Sequence, residues 1–291
     1  MTMAVDVPLA PSSPDQGMTS KRRLPITVAL AALVLLTIVI LAIFGRLLAP
    51  QDPAAQNLLT TLRPPGNGHV LGTDDLGRDV LSRIIVGTAA AVLGPIVVAT
   101  GCVAIGAALG VLAGFRGGAI DIAISRFTDV MYTLPGLLVA VVVVGVAGGG
   151  YWLTAAVLLL LSFPFQTRLC RSAALAQSRL AYLDAARTLG LSSTRIMVRH
   201  LLPNIAPVLV TTFLLDFTGA MIGFTGLEYL GLGLAPGRPD WGGTIAEGQA
   251  YITLNPWISL GPALAIIATA TSATLLGDWA YDRLSMRTAR P

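Results

Sequence analysis

The chain has 291 residues, of which 54% are hydrophobic and only 12% charged, giving a mean hydropathy of +0.76; soluble domains carry about a quarter charged residues. That balance excludes an ordinary aqueous domain and marks a membrane protein whose length is largely consumed by spans of about 20 residues each. The net charge of +4 comes without a basic stripe carrying interleaved aromatics, which argues against a nucleic-acid surface and fits membrane topology and contact with anionic lipid.

Residues 1–23 are rich in Pro, Ser and Asp, lack periodicity, and end in Lys21, Arg22 and Arg23; they read as a disordered cytoplasmic tail. The apolar run 24–48 follows. A cleaved secretory signal has an apolar core of about 7–15 residues, so this longer run reads as a retained first span. Residues 49–85 then form an extracytoplasmic loop, and 86–281 a core with five further spans: Val86–Gly114, Tyr132–Gly148, Trp152–Phe165, Val208 to about Leu232, and Ile258–Leu276. The fourth is short and contains Pro164. An outer loop at about 233–257 and a cytoplasmic tail, 282–291, complete the order. The fold class is therefore all-α, with six transmembrane helices.

Of the 19 basic residues, all but Arg46, Arg63, Arg78, Arg83 and Arg238 fall in segments that share a side with the N-terminus. This bias places both termini in the cytoplasm. Cys102 and Cys170 lie at different depths and read as packing thiols, while His69 and His200 lie on opposite sides and cannot share a metal. A P-loop needs a lysine after its glycine turn. The only lysine is Lys21, so the chain is not its own ATPase and no catalytic residue is assigned.

Between the fourth and fifth spans stands a polar insert, "AYLDAARTLGLSSTRIMVRHLLPN". Asp184 falls in the first turn of a short helix, where a carboxylate suits the positive dipole end, and Gly190 suits a left-handed stop. Ser192 or Ser193 can cap a second helix ending before Pro203. Ala185 and Ala186 leave one side of the first helix nearly smooth, suited to a groove on another protein. Basic residues enforcing topology would explain Arg187, Arg195 and Arg199, but not the phased Gly and Leu-Pro.

The insert resembles the cytoplasmic signature of ABC importer permeases: Glu-Ala-Ala, three residues, Gly, nine residues, then an aliphatic residue, any residue, Leu-Pro. Asp184, Ala185, Ala186, Gly190, Leu202 and Pro203 occupy those places, with His200 at the aliphatic one. "LGTDDLGRDVLSRIIVGT", "YLGLGLAPGRPDWGGTIAEGQAYI" and "LLGDWAYDRLSMR" are similar to the C-type permease of dipeptide and oligopeptide importers.

The resemblance implies the type I importer permease fold and a heteromeric machine: a B-type permease partner, two ABC ATPase subunits or domains, an extracytoplasmic peptide-binding protein, and a peptide substrate. ATP and Mg would be bound by the ATPase partners, with no cofactor or metal in this chain. The coupling helices at about 182–202, with Arg187 and His200 among their residues, would engage the ATPases through the Asp184–Gly190 helix. Asp75, Arg78, Asp79, Trp241 and Glu247 are candidates for binding-protein docking or gating, although "GTDDLGRD" also reads as a helix start capped by Thr73 or Asp74. Asp216 sits about eight residues into the fifth span, where an ionisable group is expensive and functional by default; it suits the pathway or a contact with the partner permease. Gly219, Gly223 and Gly226 form a small-residue stripe. Phe224 stands where relatives carry an acid and Glu228 where a serine is usual, making both pathway candidates. Two alternatives remain open: the same architecture carrying nickel chelates, glutathione or another small solute, and a stand-alone secondary transporter, for which no inverted repeat with broken midplane helices is visible.

Overall fold

The computed structural model describes residues 25–288 apart from 67 and 236. The N-terminal tail through Arg23 and the last three residues lie outside these. Among the described residues there are only helices, turns and two isolated β-bridges, Gly66 with His69 and Thr73 with Asp79.

The helices in chain order are α1 (Ile26–Leu48), α2 (Val80–Arg116), α3 (Gly118–Thr133), α4 (Gly136–Val146), α5 (Tyr151–Ser178), α6 (Ala181–Thr188), α7 (Ser193–Ile196), α8 (Leu202–Asn204), α9 (Ala206–Tyr229), α10 (Trp241–Gln249) and α11 (Trp257–Thr288). Five of them (α1, α2, α5, α9 and α11) are long and apolar enough to cross a bilayer. The sixth crossing is not the single helix the sequence suggests. Its apolar half, α4, has 11 residues and, at 1.5 Å per residue, falls well short of the roughly 30 Å hydrocarbon core. It completes a span only with α3, from which it is bent by 77°. Pro135 sets the break, because the residue before a proline is pushed out of the α region, and Leu134 is extended at φ −79 and ψ 129.

Proline behaves otherwise in α5. The fourth span was expected to end near Phe165, yet α5 runs 28 residues straight through Pro164. Pro164 is buried, and the next turn is secured by Thr167 Oγ1, which donates to the Phe163 carbonyl at 2.9 Å. Neighbouring helices and hydroxyl side chains commonly sustain proline within a span in this way. Likewise α2 begins at Val80, before the expected span, and α11 continues to Thr288 through residues expected in the tail.

α2 is the central element. It packs most extensively on α5, then on α9 and α1, while α11 closes the bundle against α9, α1 and α10. The α2–α5 contact rests on Gly106, Gly110 and Gly114, one per turn, facing Gln166, Thr167, Cys170, Arg171 and Ala174. Small residues at four-residue spacing let backbones approach closely where lipid supplies no hydrophobic force between helices. α2 carries its own irregularity at Pro95. The Tyr151 hydroxyl, at the start of α5, accepts from the Gly94 N–H at 2.5 Å and donates to the Ala90 carbonyl at 2.6 Å. Those are the donor and acceptor that an uninterrupted helix pairs with each other.

Candidate functional site

One end of the bundle is built around α6. Leu183 and Ala186 are buried in a cluster with Val111 of α2, Ala174 of α5, Ile196 of α7, Leu201 and Ile205. Asp184 and Ala185 point outward, as does Leu189 at 81% exposure. The Ala pair is thus divided, Ala186 seating the helix and Ala185 leaving its outer face smooth. Gly190 closes α6 at φ +75, a conformation that L side chains rarely adopt, and its N–H bonds the Arg187 carbonyl. Arg187 donates to Asp184 Oδ1 at 2.9 Å and lies 5.1 Å from the centre of the Phe115 ring.

The chain then returns to the bundle through a wide turn. Ser192 caps α7 by accepting from the Arg195 N–H. Residues Met197–Leu201 form a π-turn, closed by the Leu202 N–H on the Met197 carbonyl. Pro203 explains it: the ring has no N–H to give and would clash with the carbonyl four residues back, so the ladder widens by one residue. His200 and Leu202 are half-buried and Pro203 is exposed, whereas their neighbours Leu201 and Ile205 carry the packing. Asn204 Nδ2 donates to the Tyr182 hydroxyl at 2.8 Å, and that hydroxyl in turn donates to Gln177 Oε1 at 3.3 Å. This chain joins α6 to the entrance of α9 and the end of α5. No local pattern announced it.

Arg168 and Arg171, which the sequence assigns only to topology, also have partners. Arg171 Nη2 donates to Asp121 Oδ2 at 2.6 Å, and Arg168 pairs with Asp129. Both acids are on α3, so the broken crossing is fastened to α5 by two ion pairs.

At the opposite end, segment 49–79 is locked against α2 and α10 by buried charge. Arg78 Nε donates to Asp74 Oδ2 at 2.6 Å and Arg83 Nη1 to the same oxygen at 2.8 Å. Both guanidinium groups reach Glu247 on α10, at 3.0 and 2.8 Å. The cap of α2 is Asp79, not Thr73 or Asp74: its Oδ2 accepts from the Ser82 N–H and hydroxyl, while Oδ1 faces His69 Nδ1 at 2.9 Å. The Thr73 and Asp74 side chains instead brace the preceding turn, Asp74 Oδ1 accepting from the Leu76 and Arg78 N–H groups. Asn255, fully buried, donates towards the carbonyls of Arg63, Leu71 and Thr73. Among the docking and gating candidates, Arg78, Asp79 and Trp241 are buried, while Asp75 and Glu247 are about one-third exposed. Trp241 Nε1 donates to the Ile84 carbonyl at 3.0 Å.

Asp240 caps α10, accepting from the Gly243 N–H. Burial pushes its carboxyl above the ordinary range, opposed by that N–H and by Arg83, and reinforced by Glu247.

The fifth-span candidates divide. Phe224 is buried against Tyr151, with ring centres 5.1 Å apart, and fills the space opposite Gly94. Glu228 is buried at the α9–α10 junction, accepting from the Gly242 N–H through Oε2 while Oε1 has no partner. Asp216 is half-buried, with Oδ2 enclosed and unpartnered. The glycine stripe is likewise split: Gly223 meets Leu158, whereas Gly219 and Gly226 have nothing within 4 Å of a would-be Cβ.

Comparison with known proteins accords with this architecture. Residues 106–290 match the family described as binding-protein-dependent transport system inner membrane component. The probable D,D-dipeptide transport system permease protein DdpC of Escherichia coli K12 is 34% identical, over 89% of this chain and 87% of its own. The glutathione transport system permease protein GsiD of Pectobacterium atrosepticum is 34% identical over 87% and 85%, and the di/tripeptide permease DppC of Pseudomonas aeruginosa 35% over 87% and 85%. An inward-facing structure of the MetNI methionine ABC transporter superposes with a TM-score of 0.57 at 19% identity, covering 71% of this chain and 96% of that one. With five long apolar helices and the bent α3–α4 pair among its described residues, a helix pair at one end and matches over most of its length, the chain belongs to the family of inner membrane components of binding-protein-dependent transport systems, the permease subunits of ABC importers.

Proposed function

We propose that this chain is one of two unlike permeases in an ATP-driven importer of short peptides, with both termini and α6 on the cytoplasmic side of the cell membrane. The carrying observation is the two-faced setting of α6: Leu183 and Ala186 are sunk into a cluster shared with α2 and α5, while Asp184, Ala185 and Leu189 are exposed. An ATPase subunit gripping the free face moves the buried one. Force passes through Val111 and Ala174 to α2 and α5, and through the Tyr182–Asn204 hydrogen bond to α9. Packed elements with two discrete arrangements convert such a shift into inward or outward opening. ATP and Mg belong to the ATPase partners. The exposed side of α9 around Leu215, Gly219 and Ile222 faces the second permease, with Asp216 beside it near the pathway. Asp75 and Glu247, on the outer rim, are the groups accessible to a peptide-binding protein.

The peptide cargo rests on the dipeptide and di/tripeptide permeases among the relatives; the glutathione permeases favour a second reading within the same class, a tripeptide thiol. The test is co-purification with the partner subunits, followed by binding-protein-stimulated ATPase and uptake assays over dipeptides, longer peptides, glutathione and nickel chelates. Asp184→Lys and Gly190→Pro are expected to abolish stimulation while leaving membrane insertion intact, because proline cannot adopt the Gly190 backbone. Normal stimulated uptake in both variants refutes the coupling role, and uptake by the chain alone without ATP refutes the importer reading.

A further inference from the structure

An open cleft of about 630 Å³ lies between the α2–α3 corner and the α6–α7 corner. Its lining is mixed: Phe115, Ile120, Leu191 and Ile196 supply the apolar part, Ser193 adds a hydroxyl, and its two charged residues are Arg116 and Arg187. No acid lines it. The nearby carboxylates are engaged, Asp121 with Arg171 and Asp184 with Arg187. Among the described residues no acid lies within ion-pair distance of Arg116. Arg116 is the last residue of α2, directly after the apolar run, so it stands where hydrocarbon gives way to headgroups. Beyond the cleft, α3 exposes Ile122, Phe127 and Val130 at 62%, 51% and 64%, continuing the apolar wall along the membrane.

We propose that this cleft binds the phosphate headgroup of an anionic phospholipid from the leaflet on the α6 side. Basic pockets between transmembrane helices suit such headgroups, and a guanidinium fork offers a phosphate paired, charge-assisted hydrogen bonds. Arg116 supplies the uncompensated charge. Arg187 adds a second donor while held by Asp184 and Phe115, and the apolar walls receive the glycerol and the first acyl carbons. A lipid seated there bridges the end of α2 to the helix pair that moves with α6, so its presence stiffens that connection. The inference draws on the proposed function for the name of the leaflet and for the partner subunits of the complex, and binding is read without transport.

The test uses the assembled complex in nanodiscs of phosphatidylcholine with a minor fraction of phosphatidylglycerol, stripped stepwise with detergent while retained lipid is counted by native mass spectrometry. Wild type is expected to keep phosphatidylglycerol in preference to phosphatidylcholine, and Arg116→Gln to keep about fivefold less, as one basic group near an anionic surface provides. Arg116→Lys, which retains charge without the fork, falls between them. Should Arg116→Gln fail to assemble, the lysine variant carries the test, and wild-type retention there overturns the proposal. Equal retention by wild type and Arg116→Gln overturns it, as does equal retention of the two lipids. Displacement of the lipid by millimolar inorganic phosphate would assign the cleft to a free anion and overturn the lipid assignment.

Discussion

A methyl group added at Gly110 measures how much of the fold depends on the α2–α5 approach. The Cβ of Gly110→Ala would lie 2.5 Å from the Thr167 carbonyl oxygen, 2.6 Å from Cys170 Cβ and 2.8 Å from the Arg171 nitrogen. The first of these is about 0.9 Å short of the 3.4 Å at which ordinary contact begins. Two of the three atoms are backbone, so no rotamer change relieves the clash and the helices must part. Overpacking of this kind costs about 1–3 kcal/mol, while alanine returns about 0.8–1.0 kcal/mol of helix propensity. The net expectation is a loss of about 0–2 kcal/mol against wild type, and of about 1–3 kcal/mol against an alanine placed in a helix with room for it, at roughly 2–4 °C of melting temperature per kcal/mol. The chain reports its own unfolding: Cys102 and Cys170 are its only cysteines and both are fully buried, so a thiol-reactive fluorophore labels them only as the bundle opens. Gly219→Ala, with nothing within 4 Å, is the matched control and should melt no lower than wild type. A Gly110→Ala protein that melts with the control refutes the close-approach argument.

Other perturbations test the remaining joints. Asn255→Ala removes the donor shared by three carbonyls and the acceptor for the Trp257 N–H; about 1–3 kcal/mol is expected to be lost, read as faster hydrogen exchange through 49–79, and unchanged exchange would count against it. Tyr151→Phe withdraws the hydroxyl from Gly94 and Ala90, with an expected loss of about 0.5–1.5 kcal/mol in the same thiol assay; a wild-type melting curve would show the hydroxyl to be dispensable. Asp240 has its folded carboxyl raised mainly by burial, so its contribution is fully present below the unfolded carboxylate range and declines as pH rises through the raised value. Asp240→Asn keeps the cap acceptor, so its stability relative to wild type should improve as pH increases from acid to neutral; a difference that is flat with pH contradicts the burial argument.

Much of the architecture was legible because it is written locally. Five of the six spans follow from continuous apolar runs, and the α6 motif from the spacing of Asp184, Gly190 and Pro203. The sixth crossing was misread because hydropathy counts Tyr132–Gly148 as one stretch, while Pro135 breaks it; Pro164 in α5 shows that proline alone does not decide, since its surroundings resupply what it removes. The Gly106, Gly110 and Gly114 spacing is a local signal for close helix approach, though it does not name α5 as the partner. The "GTDDLGRD" segment looked like a helix start, yet Asp74 and Arg78 serve a charge network whose partner, Glu247, lies 169 residues from Arg78, and no local pattern carries that information.

The sequence by itself determined that the chain crosses a bilayer repeatedly and where a short helix interrupts the apolar order, because burial in lipid acts on each segment separately. Only the tertiary structure decided which face of α6 is free, which of Phe224, Asp216 and Glu228 are enclosed, and which arginines are paired. Those outcomes depend on helices remote in sequence meeting within hydrogen-bond distance, as Arg171 meets Asp121 from 50 residues away, and no single segment carries the position of its distant partner.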